Sequence, residues 1–124
     1  MKALLVVAHG SRREASNEEV RRLARRVKEV AGDRYGWVEA AFLELAEPSI
    51  PEGIHRCLEQ GAREVVVLPY FLSAGRHVSE DIPAEVEKAR QAHPGSRVRL
   101  VPYLGAAAGI AELLLVQAAL EEGG

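Results

Sequence analysis

Two histidines stand where apolar runs stop. The run Lys2-Ala-Leu-Leu-Val-Val-Ala8 gives way to His9-Gly10-Ser11-Arg12-Arg13, and Glu64-Val-Val-Val-Leu-Pro-Tyr70 gives way to Phe71-Leu-Ser-Ala-Gly-Arg-His77-Val-Ser-Glu-Asp81. A third polar group, Glu44, closes the run that starts at Trp37, with Glu47 three residues further on. Neutral imidazole is both a ligand for borderline divalent ions and a general base near neutral pH. Two imidazoles and a carboxylate suit Co(II), Ni(II), Fe(II) or Zn(II), with positions left for water or substrate. Histidines at strand ends also serve as hydrogen-bonded loop anchors, so spacing alone leaves both roles open.

For the three residues to act together, their strands must end side by side. The apolar runs are each followed by helix-period segments. Ser16 and Glu19 predict a capped helix with Val20, Leu23, Ala24, Val27 and Val30 at helical spacing, ending at Gly32. Trp37 to Leu43 reads as the second strand. Ser49, Pro51 and Glu52 predict the start of a second helix, with Ile54, Cys57 and Leu58 inward until Gly61. Ser79 predicts the cap of a third helix through Ile82, Val86 and Ala89, stopped by His93-Pro94-Gly95. Arg97 to Pro102 alternates as a fourth strand, and Ala106 to Leu120 reads as the last helix.

Right-handed crossovers then make an α/β fold with a parallel sheet and helices on both faces. A flavodoxin-like four-stranded order, 2-1-3-4, is expected. It makes the first strand the neighbour of the second and third, with a spacing of about 4.8 Å. His9, Glu44 and His77 then converge at the carboxyl edge, where ligands of such sheets gather.

Composition narrows the function classes. The 124 residues fit one domain, 1–124, able to bury one core. With 48% hydrophobic and 27% charged residues and a net charge of −2, the chain has no polyanion-binding balance, so nucleic acid is not an expected partner. There is no run of about 18 apolar residues and no cleavage-site pattern, so a cytoplasmic protein with no membrane partner is expected. Cys57 is the single cysteine. One protomer therefore has neither an intrachain disulfide nor a Cys-ligated zinc or iron–sulfur site, and metal donors must be His and carboxylate.

Three motifs together resemble the sirohydrochlorin chelatase family. They are Val7-Ala8-His9-Gly10-Ser11-Arg12, Phe42-Leu-Glu44-Leu-Ala-Glu47-Pro48-Ser49-Ile50, and Leu68-Pro-Tyr-Phe-Leu-Ser-Ala-Gly75-Arg76-His77-Val-Ser-Glu-Asp81-Ile-Pro83. They occur in order, each at a strand end, and the resemblance covers nearly the whole chain. It implies a chelatase-like half-unit of the short, single-domain form, a lyase that inserts a divalent metal into sirohydrochlorin without ATP. The metal is the substrate, Co²⁺ first and Fe²⁺ or Ni²⁺ as alternatives, with no organic cofactor. Cobalamin biosynthesis is the expected setting and siroheme ferrochelatase the near alternative. The resemblance further implies that His9 and His77 are the paired active-site histidines and that Glu44 is the acidic partner, with Glu47 the alternative that could face the cavity instead; His9, His77 and Glu44 are the expected metal contacts. A homodimer is expected, because two-domain members look like a fused duplication of this unit.

Sirohydrochlorin carries many carboxylates, so cations are expected at the rim. Arg12, Arg13 and Arg76 are the candidates, against a reading as solvated loop charge. Gly10, Ser11, Ser73 and Gly75 fit a backbone that a ligand approaches closely, and equally fit turn geometry. Tyr70, Phe71 and Leu72 either meet the ring face or close the core. His55 and His93 read as surface or helix-end residues, and Cys57 as core.

Other classes fit less well. A phosphohistidine-type phosphatase wants Arg before the first histidine, and Ala8 stands there. A hydrolase built on Ser11 lacks a Gly-x-Ser-x-Gly elbow. A noncatalytic cobalt or nickel carrier is the stronger rival, separated from a chelatase by tetrapyrrole binding.

Overall fold

The structure, a computed structural model, describes residues 1–121, so the last three positions of the expected 1–124 domain lie outside the described residues. Strands β1 (Lys2–Ala8), β2 (Trp37–Phe42), β3 (Glu64–Pro69) and β4 (Arg97–Leu100) form one parallel sheet in the order β2-β1-β3-β4. The helices are α1 (Glu14–Ala31), α2 (Ile50–Glu59), α3 (Ile82–Ala92) and α4 (Ile110–Ala118). The expected order and alternation of strand and helix are both present.

The apolar run of β1 is continuous because both of its faces are covered. Leu5 and Val7 point into a core with Val65, Val67, Ile54 and Val86, under α2 and α3. Leu4 and Val6 pack with Val66 and with Val20 and Val27 of α1 on the opposite face. Each fully buried aliphatic side chain contributes about 1.5–3 kcal/mol. The resulting register aligns Ala8 with Phe42 and Val7 with Pro69, bringing three strand ends to one edge.

Helix starts follow local chemistry where nothing else competes. At α2 the Ser49 Oγ accepts the Glu52 N–H at 3.2 Å, with Pro51 in the first turn, as expected. Ser16 does not cap α1. That helix begins at Glu14, and the Ser16 N–H donates to the Arg13 carbonyl. Ser79 is likewise no cap: it sits inside a π-helical turn, His77–Asp81, that runs straight into α3, and its N–H and Oγ both donate to the Gly75 carbonyl. The last helix is shorter than expected. A 3₁₀ turn at Leu104–Ala106 precedes α4, which starts after Gly109, and glycines at 105 and 109 disfavour a helix through that stretch.

No residue of α4 is buried, and Leu113, Leu114, Leu115 and Val116 are all exposed. Among the described residues no helix is long and apolar enough to cross a membrane.

Cys57 lies wholly inside the core, and its burial pushes the thiol from 9.0 up to about 12. Thiol reagents at pH 8 are expected to label it orders of magnitude more slowly in the native than in the denatured protein, because the thiolate is the nucleophile. The linked effect on stability has a definite sign. Between pH 9.0 and about 12 the unfolded thiol ionises while the folded one keeps its proton, so this contribution is full below pH 9.0 and lost as pH rises. Denaturant midpoints that rise across that window would contradict it.

Candidate active site

Pairing between β1 and β2 does not end with the strands. The Leu43 N–H donates to the Ala8 carbonyl and the Glu44 N–H to the His9 carbonyl, at 2.9 and 3.0 Å. These two bonds carry Glu44 alongside His9. At the next residue, Leu45, φ is +65°, a left-handed conformation uncommon outside glycine, so the chain turns sharply just after Glu44. The outcome is a 3.0 Å contact between Glu44 Oε1 and His9 Nε2. Glu47 is directed elsewhere: it borders a surface groove beside Arg21 and Arg25 of α1, and its carbonyl accepts from the Arg21 guanidinium.

His77 reaches the same place from the far side. Its residue opens the π turn, and its ring lies edge-on to that of His9 with centroids 4.7 Å apart and planes at 61°. His77 Nδ1 is 2.8 Å from Asp81 Oδ2, while His9 Nδ1 is 2.9 Å from the Gly10 carbonyl. The side chains of His9, Glu44 and His77 are 39%, 54% and 44% exposed, so a solute can reach them.

A carbonyl and a carboxylate only accept, so the Gly10 contact places a proton on His9 Nδ1. Nε2 then meets Glu44 lone pair to lone pair unless a positive charge joins them. A proton or a metal cation completes that contact. Among the described residues no group of three or more His, Cys, Asp and Glu side chains stands ready to hold a metal ion. Glu44 Oε1 instead lies 3.0 Å from His9 Nε2.

Asn17, which the sequence reading passed over, builds the loop that carries His9. It is 2% exposed, the one buried polar side chain among the described residues, and it closes on Ser11 from α1. Its Oδ1 accepts the Ser11 N–H at 2.9 Å and its Nδ2 donates to the Ser11 carbonyl at 2.8 Å. Nδ2 also reaches Glu14, whose carboxyl is held below its ordinary value chiefly by its hydrogen bond from Arg21. Asn17→Ala strands both backbone groups of Ser11, each at a cost of about 1–3 kcal/mol if left dry. A fall in the denaturant midpoint, with a larger fall in activity, is expected. An unchanged midpoint would show that water replaces the amide.

The remaining candidates divide. Gly10 has φ of +96° and lies so close to the Glu44 carbonyl that a Cβ there would be 1.7 Å from its oxygen. Its first constraint is therefore this chain, not a ligand. The Ser11 Oγ accepts the Arg13 N–H at 3.0 Å, which is turn geometry. Gly75 faces open space, and Ser73, Arg12 and Arg13 are exposed. Arg76 is 80% exposed and reaches Glu80 at 3.4 Å. Tyr70 and Leu72 are exposed, and with Phe71 they form one wall of an apolar cleft of about 450 Å³ whose other wall includes Ile110, Leu113 and Leu114. Neither His9 nor His77 lines that cleft. His55 and His93 stack on each other with centroids 5.2 Å apart, His93 lying at the opposite end of α3 from His77.

The family model described as CbiX matches residues 3–120. The chain belongs to the CbiX family. Its relatives include the chloroplastic sirohydrochlorin ferrochelatase of Arabidopsis thaliana, 41% identical over 102 residues, 82% of this chain and 44% of the relative. The sirohydrochlorin cobaltochelatase of Methanocaldococcus jannaschii is 42% identical over 83 residues, 67% of this chain and 57% of the relative. This CbiX chain thus spans about half the length of the curated relatives it matches. Among solved structures, a putative cobalamin biosynthesis CbiX protein from Marinobacter aquaeolei VT8 superposes with a TM-score of 0.75 and 32% identity, covering 98% of this chain and 99% of that one.

Proposed function

We propose that the protein is a sirohydrochlorin chelatase that inserts a divalent metal into the tetrapyrrole and releases two protons. The observation that carries this reading is the pair of imidazoles, His9 and His77, 4.7 Å apart at the carboxyl edge of the sheet with Glu44 against one of them. Membership of the CbiX family, and the names of relatives from both a plant and an archaeon, support the substrate.

Insertion asks for three things: water stripped from the ion, delivery to one face of the ring, and removal of two pyrrole protons. His9 and His77 take water's place on the ion through nitrogen lone pairs and accept the protons as the metal–nitrogen bonds form. Glu44 swings from His9 to the ion, or balances the positive charge that replaces it. The tetrapyrrole brings its own carboxylates, for which Arg12 and Arg76 are the rim cations, with Gly10, Ser11, Ser73 and Gly75 the backbone it lies against.

Cobalt is the metal proposed first. The relative matched along almost its whole length is associated with cobalamin, whereas the plant relative is named for iron. A noncatalytic cobalt or nickel carrier is the reading that fails to require the tetrapyrrole. The test is an anaerobic absorbance time course of sirohydrochlorin with Co²⁺ and then Fe²⁺, with and without the protein. Protein-dependent acceleration with either ion supports a chelatase, and the ratio of the two rates ranks the metals. Ion binding without acceleration leaves the carrier.

A second copy of the chain completes the assembly in this reading. Unpartnered apolar side chains on α4 adjoin the loop that leads to His77, and the longer relatives have room for a second such unit. Sedimentation is expected to show a dimer at micromolar concentration. A monomer there ends this part of the reading.

A further inference from the structure

We infer that Asp81 is a positioning residue that fixes the tautomer and direction of the His77 ring, so that Nε2 carries the lone pair offered to the metal. The inference rests on the proposed metal-handling role of His77 and adds the group that prepares it.

Asp81 Oδ2 lies 2.8 Å from His77 Nδ1. An ionised carboxylate is acceptor only, so the hydrogen between them belongs to Nδ1 and the free lone pair of the neutral ring to Nε2. His9 shares the first half of this arrangement, with Nδ1 on the Gly10 carbonyl at 2.9 Å, while its Nε2 meets Glu44. Each ring of the 4.7 Å pair thus has its Nδ1 engaged by an acceptor of its own loop or turn, which leaves Nε2 as the other nitrogen.

The backbone explains how Asp81 comes to be there. His77 to Asp81 is a π turn, closed by the Ile82 N–H donating to the His77 carbonyl five residues back. Such turns are rare and gather at functional sites. An ordinary helical pair gives a looser result in this same chain: His55 and Glu59 are also four residues apart, yet 3.4 Å apart, and on an open surface. Carboxylates behind metal-binding imidazoles orient them and raise their basicity, and losing one typically costs about 10–100-fold in metal affinity or activity.

The test uses the full chain and Co²⁺ alone, without tetrapyrrole, comparing the wild type with Asp81→Ala, Asp81→Asn and His77→Ala. All variants are first checked for the wild-type circular dichroism spectrum. Imidazole ¹⁵N shifts, recorded where the rings are neutral, report the tautomer of His77. The expected results are an Nδ1–H ring in the wild type, a shift toward Nε2–H in Asp81→Ala, and Co²⁺ affinity about 10–100-fold weaker in that variant. Asp81→Asn keeps an acceptor oxygen and is expected to restore the tautomer and part of the affinity. An unchanged tautomer in Asp81→Ala overturns the inference whatever the metal does. An altered tautomer with unchanged affinity, while His77→Ala loses the metal, also overturns it. If His77→Ala binds Co²⁺ as the wild type does, the metal-handling reading of His77 itself is what has failed.

Discussion

Alanine at His9 or at His77 is expected to slow protein-dependent metallation of sirohydrochlorin by at least about 100-fold, the lower end of what a positioned proton acceptor contributes. The fall should appear in kcat more than in KM for the tetrapyrrole, because a flat polycarboxylate is held at its rim while the imidazoles act at its centre. The double variant should be hardly slower than either single one, since groups that act as a unit lose their joint effect with the first deletion. Glu44→Gln keeps a hydrogen-bonding oxygen and removes the charge that answers the incoming cation, so a smaller loss is expected, about 10-fold. Anaerobic initial rates at fixed Co²⁺ measure all four. Wild-type rates in both single alanine variants would remove the histidines from the mechanism, and a large loss in only one would assign metal and proton to the same ring.

The part of this site that a sequence reveals is the part set by strand periodicity. His9 was legible because Lys2 to Ala8 is apolar on both faces, as only a covered parallel strand requires, and the residue after it must emerge at the edge. Ser49 was legible because its cap on Glu52 is a bond within one turn. Ser16 and Ser79 have the same local credentials, but other contacts decide their surroundings. Asn17 folds back on Ser11 while α1 already begins at Glu14, and the Gly75 carbonyl takes both donors of Ser79. Asn17 itself was invisible, since a polar residue on a charged helix gives no sign that a loop six residues earlier will bury it. Glu44 lies against His9 and Glu47 beside Arg21 and Arg25, on either side of a turn whose φ of +65° at Leu45 no propensity predicts for leucine. Asp81 was in view as sequence, four residues after His77, yet its meaning depends on a π turn that has no sequence signature of its own.

The same dependence on backbone geometry makes Gly10→Ala a harsh substitution. Its new methyl would stand 1.7 Å from the Glu44 oxygen and 2.9 Å from the carbonyl carbon, and neither is a side chain that can rotate away. A φ of +96° adds a conformational penalty for any L side chain, of about 1–2 kcal/mol. Overpacking adds about 1–3 kcal/mol more. To escape, the chain must pull His9 from Glu44, breaking the 3.0 Å bond from the Glu44 N–H to the His9 carbonyl that holds the site's two halves together. A melting temperature lower by on the order of 10 °C is expected, together with loss of metallation in whatever protein remains folded. Gly75→Ala provides the contrast. No atom lies within 4 Å of its would-be methyl and its φ is not left-handed, so its stability should stay within about 1 kcal/mol of the wild type. Activity lost in Gly75→Ala at unchanged stability would mean that the space beside this glycine is filled by the tetrapyrrole. A Gly10→Ala protein as stable as the wild type would show that the loop has another way to bring His9 and Glu44 together.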